Sequence, residues 1–435
     1  MGSYLTPNRI NIGVLGLWHL GCIYAASFAK KGFNVRGFDQ NQKIINKLKK
    51  GIPPIFEPGL EQELKKTLNK KLSFSSFQET IRNADYIFIT YDIPVNDHDV
   101  VNLKIINQTF KMLAKFVDER STIVISSQIP VGTTRKLIKL LAKTGIQNPK
   151  VIYFPENLRL GKGFETFLNP DRIILGSDNV EAFKNFKKDF SFIKSPVITM
   201  GVESAEMVKH ALNSYLATCI SLSSEISDLS EKTGANMVDV VKALKTDKRV
   251  SKFAPLDPGL GFAGGTLGRD IQSLRRIAKT KKYKSKLLDA VYIVNSDRLS
   301  LLLDKIRSFY PTLKDKTIGI LGLTYKENTN TLRRSMSLQL ASILKSKGAL
   351  LKTFDPAIKG KITNFTYLNN CSKLETFFKN LDLIVVMTPW PEFKKIDPVL
   401  YSPLVKRKVI IDTKNFLDLN LYRNSGFTYL GMGIS

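Results

Sequence analysis

The sequence predicts an α/β fold: two domains of strands and crossover helices flank a central helical region with one long connecting helix. Three observations predict it. Short apolar runs of four or five residues alternate with helical segments, as expected for strands buried on both faces of a parallel sheet. One such unit occurs twice: Ile12-Gly13-Val14-Leu15-Gly16-Leu17 is echoed by Ile318-Gly319-Ile320-Leu321-Gly322-Leu323. In both copies the next strand ends in Phe-Asp, at Phe38-Asp39 and Phe354-Asp355. Near residue 200 the alternation gives way to helix alone, with Tyr215, Leu222, Ile226 and Leu229 among the apolar residues at helical spacing through 205–232. Two Rossmann-like domains around a helical middle satisfy all three. The 435 residues divide as 1–200, 201–312 and 313–435.

Composition narrows the class. Hydrophobic residues are 43% of the chain, enough for ordinary cores. No apolar run approaches the roughly 20 residues that cross a bilayer. The apolar stretch 10–29 is broken by His19 and punctuated by glycine, so it reads as strand, turn and helix rather than a secretion signal. Cys22, Cys219 and Cys371 are far apart, with no C-x-x-C pair. That argues against a disulfide framework or zinc site and for a reducing, cytoplasmic setting. With three histidines in the chain, no metal site is expected. The formal charge of +28 is spread along the chain without a nucleic-acid motif. It predicts a positive field that attracts dianionic nucleotides, and no DNA or RNA surface.

Residues 9–39 read as the first strand–helix–strand element: a strand over 9–16, a helix over 22–30 with small Ala25 and Ala26, and a strand Asn34–Phe38 ending in Asp39. A dinucleotide fingerprint G-x-G-x-x-G would place glycine at 16, 18 and 21. The chain has Gly16-Leu17-Trp18-His19-Leu20-Gly21. Asp39 stands 23 positions after Gly16, where an adenosine ribose needs a carboxylate, and an acid there favours NAD over NADP. Trp18 replaces the glycine that lets the backbone approach a pyrophosphate. Either NAD binds in a shifted pose against the indole, or the site is lost. His19 reads as a phosphate contact or as an ordinary loop histidine. The cofactor-binding candidates here are Gly13, Gly16, Trp18, His19, Leu20 and Asp39.

A Pro/Gly-rich loop follows at 50–60. Strands are expected at 86–90 and 121–127. The second runs into Gln128-Ile129-Pro130-Val131-Gly132-Thr133-Thr134, where Gln128 can hydrogen-bond a water or the amide of a nicotinamide. The strand 151–154 leads into Pro155-Glu156-Asn157-Leu158-Arg159. Glu156 there is a surface carboxylate or a functional one. On the long helix Lys209 and Asn213 sit at i and i+4, on one face. A lysine among apolar neighbours can have a lowered pKa and serve as acid or electrophile; a solvated helix lysine does neither.

The stretch Pro258-Gly259-Leu260-Gly261-Phe262-Ala263-Gly264-Gly265-Thr266-Leu267-Gly268-Arg269-Asp270 is the centre of the chain. Five of its thirteen residues are glycine. Glycine loses the most backbone entropy on ordering, so the run suits a loop whose bare backbone approaches a phosphate or sugar. Lying after the helical region and before the second strand–helix domain, it is expected to face a ligand cleft. A helix start is expected close behind it.

Together these motifs resemble the nucleotide-sugar dehydrogenases, the UDP-glucose and GDP-mannose 6-dehydrogenase family. Residues 50–60 are similar to its G-x-x-P-I-x-E-P-G-L segment, 127–134 to S-T-V-P-V-G-T-T, 155–159 to P-E-F-L-R and 169–176 to N-P-D-R-I-V-I-G. The glycine stretch resembles G-F-G-G-S-C-F-P-K-D. Tyr325-Lys326-Glu327-Asn328-Thr329 with Arg333 resembles F-K-x-N-T…R. The resemblance covers nearly the whole chain and implies NAD, a UDP-sugar or other nucleotide sugar, and a homodimer through the 205–232 helix. It implies catalytic roles for Glu156, Lys209, Asn213, Thr266 and Asp270. It adds Gln128 and Arg333 to the cofactor contacts. Leu158, Arg159, Lys209, Arg249, Phe262, Gly264, Gly265, Tyr325 and Lys326 become substrate contacts.

The chain departs from the pattern at the nucleophile, since the family's cysteine falls on Thr266. Gln128 replaces a threonine that helps hold an active-site water. Family enzymes oxidise a sugar C6 alcohol twice. The first oxidation needs a hydride acceptor and a base, and only the second needs a thiolate. A threonine hydroxyl is far less acidic, and no His-Asp pair lies near to activate it. The expectation is an oxidoreductase that stops after one hydride transfer. An epimerase that retains its NAD and a non-catalytic nucleotide-sugar-binding homologue are the other readings.

Overall fold

The computed structural model describes residues 10–94, 101–155, 158, 161–262 and 265–434. The chain forms two compact units, Met1–Ala211 and Leu212–Ser435. The first holds eight strands: β1 (Asn11–Leu15), β2 (Asn34–Phe38), β3 (Leu72–Phe74), β4 (Tyr86–Ile89), β5 (Thr122–Ile125), β6 (Val151–Tyr153), β7 (Ile173–Gly176) and β8 (Val197–Met200). Their order is β3-β2-β1-β4-β5-β6-β7-β8. The first six follow the 3-2-1-4-5-6 order of a dinucleotide fold, with the chain reversal beside β1. Neighbours run parallel except β6 and β7, which meet antiparallel at Tyr153 and Gly176.

β4 and β5 are buried along their whole length, which is why they read as unbroken apolar runs. The helix His19–Lys30 covers one face and buries Ile23, Tyr24, Ala25, Ala26 and Phe28. Phe28 meets Phe88 of β4 at 4.8 Å and Phe190 at 5.3 Å between ring centroids. Truncating such a ring to alanine costs about 3–5 kcal/mol. This helix begins three residues before the expected 22. β5 stops at Ile125, because the Ser126 and Ser127 amides both turn to the Ile89 carbonyl.

The boundary between the units falls within the long helix Val202–Thr233. The second unit continues with the helices Met237–Leu244, Leu267–Thr280 and Lys286–Phe309. It then forms β9 (Thr317–Leu321), β10 (Leu350–Phe354), β11 (Asn369–Asn370), β12 (Leu383–Val386), β13 (Val409–Asp412) and β14 (Thr428–Leu430). Their order, β11-β10-β9-β12-β13-β14, repeats the six-strand order of the first sheet, and every pair is parallel. The helix Lys286–Phe309 is tied to the long helix by Arg298–Asp228 at 2.5 Å and by Lys305–Glu231. Among the described residues no helix is long and apolar enough to cross a membrane, and no group of three or more His, Cys, Asp or Glu could hold a metal.

Candidate active site

The turn after β1 is built around two glycines. Gly16 has φ +97°, and a Cβ there would lie 2.7 Å from the Tyr91 amide. A Cβ on Gly21 would collide with the Gly16 carbonyl. Both therefore close the turn against the first helix. Gly13 is excluded from growth for another reason: its Cβ would lie 2.7 Å from the Thr80 carbonyl. Trp18 has φ −82°, ordinary for any L-residue, and is 39% exposed. The backbone at 18 thus makes no demand for glycine. The helix His19–Lys30 has no side-chain cap and no acid in its first turn, so its positive end is open to a phosphate. Asp39, at the end of β2, accepts from the Leu17 amide at 2.7 Å and the Asn41 amide at 2.8 Å. A carboxylate beside a glycine turn and an uncapped helix start fits an adenosine ribose and pyrophosphate.

Glu57 gives this corner its shape, and sequence reasoning passed over it. Its carboxylate is buried, bonds His19 Nε2 at 2.7 Å, and accepts from the Gly161 and Gly163 amides at 2.9 and 2.6 Å. Burial pushes the Glu57 carboxyl up, but the bonds from His19 and the two amides outweigh it and hold it below the usual range. The Pro/Gly-rich loop thereby anchors both the start of the first helix, at His19, and the segment entering the short helix Gly163–Leu168.

At the end of β5, Gln128 lies half-buried and leads into Gly132, which has φ +88° and begins the helix Thr133–Lys143. Here the helix start is filled. Glu206, fully buried on the long helix, accepts from the Gly132 and Thr134 amides at 2.5 and 2.8 Å. Burial pushes its carboxyl above the usual range despite those bonds. Lys209 is buried one turn further along the long helix. Leu158 packs against the first core. Glu156, Arg159 and Gly264 lie outside the described residues.

In the second unit Asn213 Nδ2 donates to Asp270 Oδ2, and both side chains are buried. Thr266 is exposed at the start of the helix Leu267–Thr280, makes no side-chain cap, and its carbonyl accepts from the Asp270 amide at 3.1 Å. The expected helix start near 271 therefore lies at Leu267. Phe262 donates its amide to Asn295 Oδ1 at 2.8 Å and accepts from Asn295 Nδ2 at 3.2 Å. A Cβ on Gly265 would rest 3.9 Å from Arg334 Cδ, and one on Gly259 3.4 Å from Lys414 Nζ. Burial pushes the Lys414 ammonium below its usual range, against the pull of Glu327 and Asp412. Tyr325 and Lys326 follow the β9 turn, with Lys326 Nζ 5.9 Å from the Tyr325 ring centroid. Arg333 is exposed. Arg249 is also exposed, and it pairs with Asp247 two residues before it at 2.7 Å. Lys414 and Asn295 were not singled out by the sequence: one is a lone lysine, the other a lone helix asparagine.

Three family descriptions match successive parts of the chain. The NAD binding domain of the UDP-glucose/GDP-mannose dehydrogenase family matches residues 10–191, its central domain 203–297, and its UDP binding domain 319–419. The chain is 33% identical over 438 residues to the UDP-glucose 6-dehydrogenase of Rickettsia typhi, covering 98% of this chain and 99% of that one. It is 31% identical over 434 residues to a UDP-glucose 6-dehydrogenase of Bacillus subtilis, covering 97% and 93%. The structure of a UDP-glucose dehydrogenase from Pyrobaculum islandicum superimposes with a TM-score of 0.88 at 26% identity, covering 100% of both chains. A UDP-D-ManNAc dehydrogenase structure from Pyrococcus horikoshii gives 0.87 at 26% identity, covering 98% and 99%.

Proposed function

From the premise that the chain belongs to the UDP-glucose/GDP-mannose dehydrogenase family, and so is an NAD-binding oxidoreductase of nucleotide sugars, we propose that it oxidises the C6 alcohol of a UDP-sugar once and releases the aldehyde. NAD, when bound, supplies the hydride acceptor. The C6 hydride would go to that acceptor and the hydroxyl proton to a water held by the Glu156 carboxylate and the Lys209 ammonium, the lysine acting as a donor and electrophile. Asn213 and Asp270, bonded to each other, are the proposed pair that orients the sugar. The observation that supports the reading most is this buried pair one helical turn from Thr266: the pair suits the polar chemistry of a first oxidation, and Thr266 offers a hydroxyl, not the thiolate that a second oxidation would need.

Gly16, Trp18, His19, Leu20, Asp39, Gln128 and Arg333 are the proposed cofactor contacts, with Gly13 beneath the turn. Leu158, Arg159, Lys209, Phe262, Gly264, Gly265, Tyr325 and Lys326 are the proposed substrate contacts. Lys414 joins them as a phosphate partner, because its ammonium lies beside the bare backbone of Gly259. Arg249, exposed and paired with Asp247 two residues before it, suits a substrate contact made across a dimer. The homodimer reading rests on the long helix, where Tyr215, Leu222 and Leu229 are more than half exposed at a seven-residue interval. Domain limits at 1–200, 201–312 and 313–435 and a cytoplasmic setting complete the proposal. The test is purified protein with NAD and a panel of UDP-sugars. Appearance of NADH with at least one sugar is expected, and none with any would overturn the reading.

A further inference from the structure

We propose that Asn295 is a positioning residue for the substrate end of the site: it fixes the glycine loop, and with it Thr266, without touching substrate. The proposal rests on the nucleotide-sugar reading above only where affinity is measured. The primary amide of Asn295 has a donor nitrogen and an acceptor oxygen at fixed separation, and it turns both on the backbone of Phe262, at 3.2 and 2.8 Å. Such a two-way bracket sets both the place and the orientation of one residue's backbone. Gly261 is shaped to allow it. Its φ is +76°, and a Cβ there would collide with Asn295 Oδ1 and lie 3.0 Å from Arg298 Cγ.

The bracket holds more than one residue. The Phe262 ring returns to within 3.9 Å of where a Cβ on Gly268 would stand, and it packs with Leu267 against Ile271 and Val291. Asp270 is held from the other side by Asn213. Thr266 therefore sits between two pinned points. Asn295 itself cannot drift. Three residues on, Arg298 is 1% exposed, pairs with Asp228 of the long helix at 2.5 Å, and lays its stem on Gly261. Its Nε and Nη2 are buried with no partner among the described residues. Orphaned buried donors are rare and require a reason. Here they accompany a loop pressed directly onto the guanidinium stem.

The test uses the full chain, with Asn295→Leu removing both bonds and Asn295→Asp keeping only the acceptor. Hydrogen exchange is followed at the Phe262 amide and over 265–268, and calorimetry measures UDP-glucose and NAD. Asn295→Leu is expected to speed loop exchange by about tenfold or more while the 286–309 helix keeps its protection. It is expected to weaken UDP-glucose about tenfold and leave NAD within about twofold. Asn295→Asp should fall between it and the parent. Parental loop exchange in Asn295→Leu overturns the proposal. So does acceleration spread equally through the 286–309 helix, which would mean a merely structural role. If Asn295→Leu does not fold, Asn295→Asp decides alone: faster loop exchange supports the bracket, and parental exchange overturns it. A parent protein that binds none of the UDP-sugars of the panel would refute the substrate reading, while the exchange data would still decide the role of Asn295.

Discussion

The two Rossmann-like sheets share a strand order, a glycine turn and an aspartate, yet only one of the two aspartates is left with room for a ligand. In both, the turn glycine has positive φ, +97° at Gly16 and +86° at Gly322. In both, its amide bonds the carbonyl before the aspartate at 2.8 Å, and the next amide bonds the aspartate itself. The difference lies in what else reaches the carboxylate. Asp39 takes one amide per oxygen and stays half-buried. Asp355 is buried, and one of its oxygens takes the Leu323 and Thr324 amides and Trp390 Nε1 at 2.6, 3.0 and 3.2 Å. The helices differ too. The first begins at His19, directly after the turn, whereas the corresponding helix of the second sheet begins at Met336. The intervening segment carries Tyr325, Lys326 and Arg333. One copy of the same unit thus keeps a dinucleotide turn, while the other fills that place with its own side chains and presents cations instead.

Exchanging the two aspartates for alanine breaks or upholds that comparison most forcefully. Asp355→Ala removes the acceptor of the buried Leu323 and Thr324 amides, while Trp390 Nε1 keeps Thr324 Oγ1, and should destabilise its unit by about 3–4 kcal/mol in urea unfolding. Asp39→Ala should cost only about 1 kcal/mol of stability but weaken NAD by about 30-fold, roughly 2 kcal/mol. Equal stability losses would end the comparison. Gly21→Ala should cost about 2 kcal/mol and lower NAD affinity with it, because the new Cβ must push the Gly16 carbonyl out of the turn. Calorimetry reads both.

A pH series sharpens the account of the first corner. Because the folded Glu57 carboxyl lies below its unfolded value, its contribution is fully present above the unfolded pKa and fades as pH falls through the folded one. Glu57→Gln should therefore destabilise the protein by about 1–2 kcal/mol at neutral pH, and the gap should begin to narrow near the ordinary glutamate pKa of about 4.3 and close as pH falls through the lower folded value. A gap that persists there would assign the loss to packing. The smallest effect is expected of Trp18→Gly. Since φ at 18 makes no demand for glycine, NAD affinity should stay within about threefold. A tenfold tightening would show that the indole occupies the pyrophosphate's place.

What the sequence made legible follows from the range of the forces involved. The strands, the repeated turn and Asp39 were readable because apolar period, glycine and a fixed spacing are local signals. The i,i+4 pair of Lys209 and Asn213 was readable for the same reason. Glu57, Glu206 and Asn295 were not. Each acts on backbone groups far along the chain: Glu57 on Gly161 and Gly163, Glu206 on Gly132 and Thr134, Asn295 on Phe262. A backbone amide carries no side-chain signature, so nothing in the sequence marks it as the partner. The proposal that Thr266 stands in for a nucleophile rests on the family's pattern alone, since a lone threonine in a glycine run announces no chemistry.

Counting NADH against sugar consumed tests the central claim most directly. Run to completion with limiting UDP-sugar and a trap for carbonyl products, the protein should form one NADH per sugar and a trapped aldehyde. Two NADH per sugar with a free uronate would contradict a site that lacks its thiolate.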